Sequence, residues 1–161
     1  MQSSVEETRS LLLELLDVTR RETRKALSGI DPEDVVHSDD RAWKVRDILG
    51  HLGVWNGEAA RSLLAHAQGG EYHCIPSEAK YDEYNDTAAE ERRAWMIKQV
   101  WAEYEASSEQ LKLLVERMPV ENWGQDMLYP WNERGTMRNL IKVMMKHEVE
   151  HREVIVKATT H

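Results

Sequence analysis

The sequence predicts an all-α protein, a four-helix bundle formed as one domain over residues 1–161, and three observations predict it. Apolar residues recur at three- and four-residue spacing along four long stretches, the period of a helix with one buried face. Turn-forming Gly, Pro and Asp cluster between those stretches, and no sustained apolar–polar alternation marks a strand. A chain of 161 residues is also the size of one domain and long enough to bury a substantial core. Four amphipathic helices of this length hide their apolar faces by packing against one another.

The first helix is expected from about Ser4 to Leu27, with Leu12, Leu15, Leu16 and Thr19 on one face. Gly29 and Asp31-Pro32 end it, and residues 30–41 read as an acidic loop. A second helix starts near Trp43, with Ser38, Asp39 or Asp40 as candidate caps, and continues through Val45, Ile48, Leu49, Leu52, Trp55, Ala59 and Leu63 to Gly69-Gly70. Gly50, Gly53 and Gly57 each weaken it by roughly 1 kcal/mol against Ala. They suggest the close approach of a neighbouring helix, or space for a bound group. Residues 71–86 look irregular and are far longer than a bundle turn needs, enough to cross the bundle or to lie over a pocket. Thr87-Ala-Ala-Glu90 has the pattern of a capping box opening a third helix through Trp95, Val100, Trp101, Tyr104, Leu111 and Leu114 to about Met118, before Pro119. A second connection, residues 120–135, carries Trp123, Tyr129, Pro130 and Trp131, and Thr136 caps the fourth helix.

Composition excludes several functions. A formal net charge of -8, with acids spread through the chain, argues against nucleic acid and anionic membrane as partners. No apolar run approaches the roughly 18 residues of a membrane span, and the N-terminus shows no basic-then-apolar export signal. A single cysteine, Cys74, fits a reducing cytoplasm and reads as an incidental thiol with no adjoining base. Six tryptophans suggest that some are exposed, and bundles with exposed Trp often pair, which makes a homodimer a candidate state.

The chemistry concentrates in the fourth helix. Its apolar stripe is Leu140, Met144, Val154, Ile155 and Ala158, and His147 and His151 fall within that stripe one turn apart. Histidines at i and i+4 present two rings on one side of a helix, the arrangement of two neighbouring ligands on a metal ion. A third ligand is needed, and His51 is the candidate on the second helix. It falls level with His151 if those helices are antiparallel and nearest His147 if they are parallel. His66 lies about 22 Å further along by helical rise and cannot join them. His37, His73 and His161 read as solvated. The same residues spell His147-Glu148-Val149-Glu150-His151, the H-E-x-x-H signature of zinc proteases, but only ten residues follow His151 and Val154 and Lys157 stand where the extended motif places Gly and His. A protease is rejected. Glu148 and Glu150 read as solvated carboxylates on the helix flank rather than as orienters of the ligand rings.

Trp43-Lys-Val-Arg-Asp-Ile-Leu-Gly-His51-Leu-Gly-Val-Trp55, followed by Trp131, Thr136 and His147-x-x-x-His151, resembles the DinB-like superfamily of metal-binding four-helix bundles, over nearly the whole chain. The resemblance implies an up-down-down-up bundle with a long crossover between helices 2 and 3. It implies a divalent metal ion on His51, His147 and His151, with zinc or nickel expected. Members with assigned activity include thiol-dependent S-transferases and the mycothiol-dependent maleylpyruvate isomerase. The expected function is therefore a metal-dependent transferase that activates a low-molecular-weight thiol for attack on an electrophilic small molecule. No catalytic group stands out beyond the ligands, and Trp55, Trp131 and Met144 are the candidate pocket walls, although each suits a core as well. A hydrolase using water in place of the thiol is the alternative, as is a non-catalytic metal- or ligand-binding bundle in stress response.

Overall fold

The computed structural model describes residues 2–36 and 42–159. Five α-helices account for most of it: α1 (Gln2–Leu27), α2 (Val45–Ala67), α3 (Tyr81–Arg92), α4 (Ile97–Arg117) and α5 (Met137–Thr159). Four are long and α3 is short, at 12 residues. The all-helical expectation is met with one helix more than foreseen.

Each helix forms for a local reason and is placed by a non-local one. α2 opens where the Asp47 carboxylate accepts from the Lys44 N–H at 2.9 Å, satisfying a donor at the helix start. The expected caps Ser38, Asp39 and Asp40 lie outside the described residues. α2 packs mainly along α4, and Gly53 is what permits it. A Cβ there would stand 3.2 Å from the backbone N of Tyr104, so the helices touch backbone to backbone. Gly57 meets nothing within 4 Å and plays no such part.

The expected single third helix is in fact two. Thr87, read as a cap, lies in the middle of α3, and the chain breaks between Arg92 and Ile97. Arg46, from α2, donates to the carbonyls of Arg92 and Trp95 and so satisfies acceptors left at the end of α3. The connection expected to be irregular therefore carries a helix from Tyr81 onward.

The second connection holds a short hairpin, β1 (Met127–Leu128) and β2 (Arg134–Gly135), paired antiparallel with Met127 opposite Gly135. Strands were not expected there. The tip is fixed by Tyr129, whose N–H donates to the Glu133 carbonyl at 2.7 Å and whose hydroxyl donates to the Thr136 carbonyl at 2.7 Å. A side chain at Gly135 would overlap that hydroxyl. The Thr136 hydroxyl then accepts from the Asn139 N–H, as the capping expectation required.

The core has two apolar halves. One gathers Leu12, Ala59, Leu63, Leu111, Met137, Leu140 and Met144; the other gathers Leu27, Trp43, Ile48, Leu52, Val100 and Ile155. Each fully buried aliphatic side chain contributes on the order of 1.5–3 kcal/mol. Leu15 and Val154, expected to face inward, are 39% and 40% exposed. Polar side chains occupy the seam between the halves, among them Thr23, Asn56 and Glu148, and the three histidines fall at the same level along the helices.

Candidate functional site

His51 on α2 and His147 and His151 on α5 converge. Nε2 of His147 lies 3.0 Å from Nε2 of His51 and 3.1 Å from Nε2 of His151. One ligand atom from each of the three falls within 4.8 Å of the others. Ring centroids are 4.5–4.9 Å apart, and Trp43 packs edge-on against His51 at 5.5 Å. All three rings are partly buried.

Hydrogen bonding alone accounts poorly for this arrangement. A neutral imidazole nitrogen without a proton offers one in-plane lone pair, yet His147 Nε2 faces two partner nitrogens at once. A cation accounts for it well. Two nitrogens at about 2.1 Å from one ion, subtending a right angle, stand about 3.0 Å apart, which is the spacing seen here. Burial, with the neighbouring His151 adding to it, holds the His147 pKa down to about 3, so its ring remains a neutral donor. The donor set fits a divalent ion of the imidazole-preferring kind.

His51 and His147 of the cluster line a cavity of about 310 Å³, at the lower edge of the range for small-molecule sites. Trp55, Trp131 and Met144, expected as pocket walls, all line it. So do Tyr81 and Asn85 from α3 and Glu133 from the hairpin, none of which the sequence singled out. Asn85 accepts from the Trp55 indole N–H at 2.8 Å, and the Tyr81 hydroxyl donates to the Trp131 carbonyl at 3.1 Å. The long connection thus lies over the pocket. A spacing of four between Tyr81 and Asn85 was the available signal, hidden by reading that segment as a loop.

Glu148 requires a correction. Expected as a solvated flank carboxylate, it is 5% exposed. It accepts from the Thr23 hydroxyl at 2.7 Å and the Tyr104 hydroxyl at 2.9 Å. Burial pushes its carboxyl up, and those two donors oppose the shift. It turns away from the cavity and ties α5 to α1 and α4. Glu150 is exposed, as expected.

His66 and His73 stand apart from the cluster. His66 is buried and its Nε2 bonds the Asn122 carbonyl at 2.9 Å; His73 is exposed; His37 and His161 lie outside the described residues. Cys74 is half-buried against the Pro130 carbonyl, and burial, reinforced by Glu58, pushes its thiol up to about 12, which keeps it a poor nucleophile.

Fold and site together define a helical bundle with a three-imidazole cluster at an aromatic cavity. The chain belongs to the DinB superfamily, whose family model matches residues 15–155. The crystal structure of the mycothiol-dependent maleylpyruvate isomerase shares the fold, with a TM-score of 0.72 at 12% identity, over 93% of this chain and 67% of that one. A variant of that isomerase with one histidine replaced by alanine matches equally, with the same score, identity and coverage. A sequence search of curated proteins found no match.

Proposed function

We propose that this chain is a divalent-metal-dependent enzyme that activates a small thiol for attack on an electrophilic small molecule. One observation carries the reading: the ring nitrogens of His51, His147 and His151 gather within 4.8 Å of one another, and His51 and His147 line a cavity of ligand size. In this reading His51, His147 and His151 hold the ion, with zinc or nickel the expected metals. When bound, such an ion supplies a lowered pKa for a coordinated thiol or water, making a nucleophile available at neutral pH.

The protein's own residues supply the rest. Trp43 braces the His51 ring, and the Glu148 clamp fixes α5 against its neighbours, which sets the rotation of His147 and His151. Trp55 and Trp131 enclose the reacting partner in apolar walls, and Asn85 fixes the Trp55 indole. Met144 closes the wall next to His147. Trp55 and Met144 also serve the core, so both expectations for them describe one side chain.

Thiol dependence is supported by the structurally similar isomerase, which is named for it. Its substrate is not carried over: among the described residues lining this cavity there is no lysine or arginine. We further read residues 1–161 as one domain in up-down-down-up order. Gly53 lies against Tyr104 and Asn56 against Ser108, while Arg9 reaches Val115 and Arg20 reaches Glu105, which supports α2 and α4 running together and opposite to α1. Leu12 clusters with Leu140 and Leu27 with Ile155, which supports α5 running with α1. The lone Cys74 suits a reducing cytoplasm. A homodimer stays part of the reading, although all six tryptophans are buried or half-buried and so offer no exposed ring for pairing.

Metal-loaded and chelated protein are to be compared on an electrophile with and without a small thiol. Turnover that requires both metal and thiol is expected. Turnover with metal and no thiol would replace the transferase with the hydrolase, and turnover in the chelated protein would end the metal reading.

A further inference from the structure

Trp55, Tyr81 and Trp131 form an aromatic corner of the cavity, and Glu133 lines it too. Trp55 stands nearly perpendicular to Tyr81, with centroids 6.5 Å apart and planes at 81°, and steeply inclined to Trp131, at 6.2 Å and 62°. Each pair is close enough for one cation to sit within about 6 Å of both centroids, the range in which a ring's negative face attracts it. Glu133 adds a formal negative charge to the same cavity. Arg134, the nearest cation in sequence, is drawn away by Glu71 and Asp126. Among the described residues no lysine or arginine lines the cavity, and the chain as a whole carries a net charge of -8. Glu133 repels an anionic group there. A plain apolar group would leave the charge of Glu133 unused.

We propose that this corner binds an alkylammonium group, so that the substrate is a small molecule with an ammonium, tertiary or quaternary, at one end and its reactive atom at the other. The orientation follows from charge. Trp55 is a helical turn beyond His51, and an ammonium among Trp55, Trp131 and Glu133 would be repelled by a cation on the histidines, so the other end of the molecule would reach toward them. This rests on the enzymatic reading of the same cavity.

The test uses choline and its uncharged carbon isostere 3,3-dimethylbutan-1-ol, with 3,3-dimethylbutanoate as the anion, each titrated calorimetrically into the full chain, metal-loaded and chelated. Choline is expected to bind about ten-fold tighter than the isostere, the factor worth about 1.4 kcal/mol of cation attraction. E133Q should bring the two probes closer together, and W131L should do so again while leaving the far-ultraviolet circular dichroism unchanged. Equal binding of the isosteres, tighter binding of the anion, or no binding of choline would each overturn the proposal. Metal content is read on the same samples. Ammonium selection that persists without metal uptake would count against the enzyme reading alone, and metal uptake without selection would count against this inference alone.

Discussion

A carboxylate in the seam between two apolar core halves is stable only if donors surround it, and Glu148 has Thr23 and Tyr104. Hydrogen bonds to a charged partner are worth about 1.5–3 kcal/mol each, so Y104F should lose about that much unfolding free energy, read from urea denaturation at neutral pH. A loss under about 0.5 kcal/mol would mean that Glu148 is neutral or otherwise satisfied. The position was legible in the sequence. Ile141, Met144, residue 148 and Ile155 follow three-, four- and seven-residue steps along one buried line, against which stood the charge of Glu148 and its angular offset from the His147–His151 pair. His51, His147 and His151 were legible for the same reason, since polar residues on an apolar stripe demand partners. Leu15 and Val154 show the converse: apolar residues at the margin of a stripe remain exposed when no helix covers them.

At the level of helices, the α2–α4 contact makes opposite predictions for two glycines four residues apart. G57A adds a helix-favouring Cβ into open space and should stabilise the protein by about 1 kcal/mol. G53A places the same atom against the backbone of Tyr104, which cannot yield without moving α4, and should destabilise it. Thermal or denaturant unfolding of both variants checks the signs, and stabilisation by G53A would show that the contact has slack. The α1–α4 contact carries a pH dependence. Hydrogen bonds from Arg24 and Arg20 hold the Glu105 carboxyl below its ordinary value. The unfolded chain therefore binds the extra proton first, so this contribution is full above the ordinary carboxylate range and fades as pH falls through the lowered value. The stability advantage of wild type over E105Q should shrink below about pH 4. An advantage that grew on acidification would reverse the assignment. Of the five helices, the break between α3 and α4 was the one the sequence could not reveal. It contains no Pro or Gly, and its carbonyls are satisfied by Arg46 from a different helix. The hairpin was hidden likewise, because two-residue strands carry no alternation to read.

Over the whole molecule, periodicity made the helical class legible, and the W-x-V-x-D-x-L-x-H phrase with H-x-x-x-H made the family legible; both are met. The cavity was legible only in part. Trp55, Trp131 and Met144 were named as walls alongside the family resemblance, whereas Tyr81, Asn85 and Glu133 reach it through tertiary placement of α3 and the hairpin. The central claim is that two helices bring three imidazoles to one divalent ion. Elemental analysis of purified wild type, H51A, H147A and H151A, each confirmed folded by circular dichroism, tests it most directly, with H66A as a buried histidine outside the cluster. The account predicts about one equivalent of divalent metal per chain in wild type and H66A, released on acidification as imidazoles protonate, and a near-complete loss in each of the other three. Undiminished metal in H51A, H147A or H151A would contradict it.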